Sequence, residues 1–169
     1  MDATEDETKS PRNRATVERK SDREIVVTRT VNGPARLVFE AFTKAELFKR
    51  WWVPKSLGLT LLSCEVDARV GGKYRLVFEM KGSPPMAFFG TYREVVPGSR
   101  LVWTNEESGE SGSVTTATFE ERGEKTLLTI HELYPTKEAC DADAGSKDGI
   151  GETFEQLDEL LGTLGASAA

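Results

Sequence analysis

Between residues 60 and 132 the apolar side chains recur with a period of two, and the breaks between the runs are too short to hold a helix. Leu62, Cys64 and Val66 alternate with Ser63, Glu65 and Asp67, and Tyr74, Leu76, Phe78 and Met80 with Arg75, Val77 and Glu79. Leu101 with Trp103, then Thr115, Ala117 and Phe119, continue the pattern. Turn residues interrupt it at Val70-Gly71-Gly72, Gly82-Ser83-Pro84-Pro85, Pro97-Gly98-Ser99, residues 107–112 and Arg122-Gly123. Strands joined over such distances pair as antiparallel hairpins and meanders. A parallel neighbour needs a crossover of about a dozen residues, which excludes a doubly wound parallel sheet.

The flanking segments have other periods. Glu24 to Val31 is rich in β-branched residues and reads as a first strand. Asn32-Gly33-Pro34 ends it, with Pro34 suited to a helix's first turn. Leu37, Val38, Ala41, Phe42 and Ala45 then form a helical stripe. Thr43 and Glu46 have capping-box spacing, which predicts a break and a second short helix running to Trp51-Trp52-Val53-Pro54. At the C-terminal end Ile150, Phe154, Leu157, Leu161 and Leu164 fall on one helical face, and Glu152, Glu155, Gln156, Asp158 and Glu159 on the other. The predicted architecture is α+β: a curved antiparallel sheet of about six to seven strands wrapped on a long C-terminal helix, with two short helices after the first strand. Such a fold leaves room for a void between sheet and terminal helix. One domain is expected over residues 23–165. Residues 1–22, charged and nearly without large aliphatic side chains, are expected to be a disordered tail.

Charge and residue supply narrow the function classes. A net charge of −6 disfavours nucleic-acid binding, which needs clustered Lys and Arg. No apolar run is long enough to span a bilayer, and the first residues have no apolar signal core. Two cysteines, Cys64 and Cys140, make no disulfide framework, so a cytoplasmic location is expected. Metal binding and cofactor chemistry are not expected: the chain has one histidine, no C-x-x-C, and Asp141, Asp143 and Asp148 lack the following bidentate Glu of a calcium loop. Gly71-Gly72 sits between strands, where a tight turn explains it better than a phosphate loop. There is no G-x-S-x-G, and only His131 could serve a nucleophile as base, so no catalytic residue is assigned.

The order of elements resembles the helix-grip superfamily of START lipid-binding domains and polyketide cyclases. Within it, the chain is most similar to the family named for the activator of the ninety-kilodalton heat-shock chaperone's ATPase. The resemblance is carried by Arg29, Pro34, Val38-Phe39, Trp51-Trp52-Val53-Pro54, the run Asp67 to Tyr74 and Gly90-Thr91-Tyr92 before Val95. Arg100-Leu101-Val102-Trp103, Phe119, His131 and Leu157-Asp158-Glu159-Leu160-Leu161 complete it, over residues 24 to 163. It implies a hydrophobic cavity, with Trp51 and Trp52 at the open end of the grip, one a lid and the other core.

The candidate cavity residues are Trp51, Trp52, Tyr74, Phe78, Phe89, Tyr92, Trp103, Phe119, His131, Ile150 and Phe154. Aromatic walls with a few placed polar atoms suit a small apolar ligand. The expected function is therefore non-catalytic binding of a small hydrophobic or aromatic molecule. Two alternatives stand beside it. A co-chaperone-like domain would contact a heat-shock chaperone through an exposed apolar patch, and a cyclase- or hydrolase-like enzyme would need His131 or a carboxylate pair in the void. No residue pattern chooses between a monomer and a homodimer.

Overall fold

The computed structural model describes residues 15–53, 55–106, 112–144 and 150–168. The elements in chain order are β1 Thr16–Ser21, β2 Glu24–Val31, α1 Ala35–Thr43, α2 Ala45–Phe48 and a 3-10 turn Lys55–Leu57. Then follow β3 Thr60–Val66, β4 Lys73–Glu79, β5 Met86–Val96, β6 Arg100–Thr104, β7 Val114–Arg122, β8 Lys125–Leu133, α3 Lys137–Ala144 and α4 Ile150–Ala168. Among the described residues the strands form one 8-stranded antiparallel sheet, in the order β1-β2-β8-β7-β6-β5-β4-β3.

The extra strand is β1, which lies inside the expected disordered tail. It pairs with β2 from Thr16↔Thr28 to Ser21↔Glu24, and all its side chains are exposed. Main-chain pairing holds it, not an apolar face, so a hydrophobic pattern could not reveal it. Arg19 adds a 2.6 Å ion pair to Asp141 on α3. The ordered domain thus starts before residue 23. Residues 1–14 of the expected tail lie outside the described residues.

Two local expectations fail for identifiable reasons. The chain breaks at Lys44, but no capping box forms: the Thr43 hydroxyl donates to the Phe39 carbonyl at 2.8 Å, the usual back-bond of a threonine in a helix. Glu46 pairs with Lys49 instead. In β3 the register slips between Leu61 and Ser63. Leu62 is the extra residue of a bulge and is 50% exposed, while Leu61 turns inward beside Phe78.

A close backbone approach fixes the sheet's bend. A β-carbon on Gly90 would lie 1.7 Å from the Thr104 carbonyl oxygen and 2.9 Å from the Tyr74 ring. Only glycine lets β5 pass that close.

α4 covers the sheet with Phe154, Leu157, Leu160 and Leu161, all buried against β2 and α1 residues that include Ile25, Val31 and Val38. Its supposed polar face also takes part in the grip. Gln156 is 7% exposed; its amide N–H groups donate to the Trp51 and Val53 carbonyls at 3.0 and 2.8 Å, and its oxygen accepts from the Lys55 N–H at 2.9 Å. Glu152 accepts the Ser56 N–H at 3.0 Å. Asp158 accepts the Asn32 N–H and pairs with the buried Arg29, both at 2.9 Å. Burial pushes the Asp158 carboxyl up, against the pull of the Asn32 N–H and Arg29.

Candidate ligand cleft

An aromatic ladder runs from the core toward one end of the sheet. Phe119 meets Phe42 edge-on at 5.2 Å between centroids, Phe42 meets Trp51 at 4.8 Å, and Trp51 meets Trp52 at 5.4 Å. Trp51 is fully buried, and its indole N–H donates to the Ala41 carbonyl at 2.9 Å. Trp52 stacks on Phe48 at 4.8 Å.

Beyond Trp52 the inner face of β4, β5 and β6 is not filled. A cleft of about 420 Å³ opens there, within the range of small-molecule pockets (roughly 300–1,000 Å³). Its walls are Phe42, Phe48 and Trp52 on the helical side, and Val66, Tyr74, Leu76, Phe78, Phe88, Tyr92 and Trp103 on the sheet side. The far end is polar: Asn105, Gly112, Ser113, Glu132, Tyr134 and Pro135, closed by Ala139 and Asp143 of α3.

Most of these polar atoms are committed to the protein. The Tyr74 hydroxyl lies 2.9 Å from the Thr104 carbonyl and 2.8 Å from the Asn105 amide oxygen, two acceptors for one proton. The Asn105 amide donates to the Ser113 hydroxyl at 3.0 Å and the Thr115 hydroxyl at 2.9 Å. The Tyr134 hydroxyl sits between the Glu132 and Asp143 carboxylates, and burial and then Glu132 push its phenol up. Tyr92 differs. It is 5% exposed, burial pushes its phenol up, and its hydroxyl has no hydrogen-bond partner among the described residues.

The sequence-derived candidates separate into two groups. Trp52, Tyr74, Phe78, Tyr92 and Trp103 line the cleft. Trp51, Phe119 and Phe154 are core, and Ile150 packs against its edge. Phe89 turns to the opposite face beside Arg75, while its neighbour Phe88 takes the inner position across from Leu76. His131 shares the outer face with Val26 and Thr116 and hydrogen-bonds Glu24 at 2.8 Å. No described residue of α4 lines the cleft, so the void lies under α1–α3 and not between sheet and terminal helix. Sequence reasoning missed Phe48, Phe88, Glu132, Tyr134 and Asp143. The inner parity of β8 (Leu128, Ile130) was the signal that could have placed Glu132.

Cys64 is half-buried with its thiol 3.8 Å from the Ala45 carbonyl, and burial raises its pKa; Cys140 is buried and also unpaired. No helix among the described residues is long and apolar enough to cross a membrane, and no group of three or more His, Cys, Asp or Glu residues there could hold a metal ion. Asp148 lies outside the described residues.

A curved antiparallel sheet with a long C-terminal helix packed on it and short helices closing one end is the helix-grip fold. The model of the Activator of Hsp90 ATPase homolog 1-like protein family matches residues 32–162, and the chain belongs to that family. Among solved structures it is similar to a protein of Rhodobacter sphaeroides at 21% identity, with a TM-score of 0.81 and coverage of 89% of this chain and 99% of that one. A Nitrosomonas europaea protein is 25% identical with a TM-score of 0.76 and coverage of 88% and 99%. An AHSA1-like protein of Aeromonas hydrophila, 17% identical, has a TM-score of 0.63 with coverage of 83% and 94%. Among curated proteins nothing matches.

Proposed function

We propose that the chain binds a small hydrophobic or aromatic molecule, without catalysis, in the cleft under α1–α3. The observation that carries this reading is the cleft itself, about 420 Å³ walled largely by aromatic carbon and lined by Tyr92, whose hydroxyl has no hydrogen-bond partner among the described residues. A ligand oxygen or nitrogen that hydrogen-bonds this hydroxyl adds about 0.5–1.5 kcal/mol net. Native mass spectrometry on protein purified from its own cells tests it, together with a tryptophan-fluorescence titration using 2-naphthylmethanol. Saturable quenching is expected, weakened about three- to tenfold by Tyr92→Phe. An empty protein that the naphthyl compound does not titrate would sink the reading.

A second reading, contact with a chaperone ATPase, draws on the family's description and on exposed Met80, Met86, Phe88 and Phe89 around the β4–β5 hairpin. Stimulation of a chaperone's ATPase at saturating protein is its test; an unchanged rate removes it. The enzyme reading loses His131 to the outer face and keeps only the Glu132–Asp143 pair.

A further inference from the structure

No described residue of α4 lines the cleft, yet α4 holds one of its walls. Trp52 lies in the strap that joins α2 to the 3-10 turn at Lys55. The upstream end of this strap is tied to α2, where the Trp51 and Trp52 N–H groups donate to the Phe48 carbonyl at 3.3 and 3.2 Å. Farther along, its main chain bonds to side chains of α4. The Gln156 amide donates one hydrogen to the Trp51 carbonyl at 3.0 Å and the other to the Val53 carbonyl at 2.8 Å, the two residues that flank Trp52. Its oxygen accepts the Lys55 N–H at 2.9 Å. One turn earlier on α4, Glu152 accepts the Ser56 N–H at 3.0 Å and the Ser56 hydroxyl. Two donors and an acceptor in one rigid plane are a combination that only Asn and Gln side chains offer, and Asn is one methylene shorter. Trp52 depends on this grip more than Trp51 does. Trp51 is fully buried between Phe42 and Phe48 and anchors its own indole N–H on the Ala41 carbonyl. Trp52 is half-buried, stacked on Phe48 and edge-on to Trp51, with the cleft beside it. The direction of such a side chain follows the backbone that carries it.

We infer that Gln156 is a positioning residue for the cleft: it sets the affinity for an aromatic ligand by fixing the backbone on both sides of Trp52, without touching the ligand. The inference rests on the proposed binding function, and the whole chain titrated with 2-naphthylmethanol tests the two separately. Gln156→Leu is expected to weaken binding about three- to tenfold in protein that stays folded by circular dichroism. Gln156→Glu keeps the shape but has no N–H to donate at neutral pH, and should lose affinity to a similar extent. Leu161→Val lies in the buried face of the same helix, where Leu161 packs at Gly33. It should leave the affinity within about twofold, which separates loss of the grip from a general loosening of α4. Coupling is reciprocal, so saturating ligand should slow hydrogen exchange at the Lys55 N–H at least about threefold in the unaltered chain and not in Gln156→Leu. Unchanged affinity in both Gln156 variants, an equal loss in Leu161→Val, or Lys55 exchange indifferent to ligand would overturn the positioning role and leave the cleft reading standing. If the unaltered chain does not titrate, the cleft reading falls and the positioning role falls with it.

Discussion

The sheet has two halves built from the same alternation and finished differently. Over β2, β7 and β8 the inward residues Ile25, Val27, Val31, Ala117 and Leu128 are sealed by α1 and α4. Over β4, β5 and β6 the inward residues Tyr74, Phe78, Tyr92 and Trp103 face a cleft that α4 never reaches. The filled half mixes aliphatic side chains with Phe42, Phe119 and Phe154, all buried. The open half presents Tyr74, Phe78, Tyr92 and Trp103 to the cleft, with Tyr74–Tyr92 and Tyr92–Trp103 in edge contact. An inward apolar pattern therefore marks the concave side of a sheet, but does not say whether protein or ligand occupies it.

Five substitutions would break or sharpen this contrast. Gly90→Ala acts within the open half, where its β-carbon would strike the Thr104 backbone; a loss of more than about 4 kcal/mol in chemical denaturation is expected. Phe154→Ala, in the filled half, should cost about 3–5 kcal/mol, and Trp52→Ala, at the cleft, about 1 kcal/mol with loss of naphthyl binding. Equal costs would erase the distinction. Gln156→Leu removes three hydrogen bonds that hold residues 51–55 against α4, and should cost about 1–3 kcal/mol while shifting the tryptophan emission. The smallest effect is a pH dependence. The Ser56 hydroxyl and N–H hold the Glu152 carboxyl below its usual 4.5, so its contribution is complete above 4.5 and lost as pH falls through the lowered folded value. Glu152→Gln should flatten that part of a stability–pH curve. Asp158, raised by burial, has the opposite sign: its contribution is complete below its usual 3.8 and fades as pH rises through its folded value.

Much of this fold was legible because burial imposes a period. β2 ran as read from Glu24 to Val31, and the stripe Phe154, Leu157, Leu161 lay where α4 packs. What escaped notice has no period. β1 is held by main-chain pairing and polar side chains such as Arg19, with no apolar face; the Leu62 bulge reverses one strand's parity, and Gln156 is buried for its hydrogen bonds and not its carbon. The cleft was misplaced for a related reason. Sequence periodicity identifies faces that turn inward, but whether α4 extends over β4–β6 depends on where its axis lies. Trp51 and Trp52 show the limit: adjacent and chemically identical, one is core and the other wall.

The pairing of β2 with β8 carries a consequence for how the protein forms. Glu24 lies opposite Leu133 and Val31 opposite Thr126, so the filled half joins segments from the two ends of the domain. β3 to β6 are consecutive hairpins whose partners are sequence neighbours. Local pairings close early and distant ones late. The sheet side of the aromatic wall is thus built from the part of the chain whose pairings are local, and its polar end stays open until β8 forms and α3 closes it. The aromatic wall of the cleft is the surface that a chaperone would meet during synthesis.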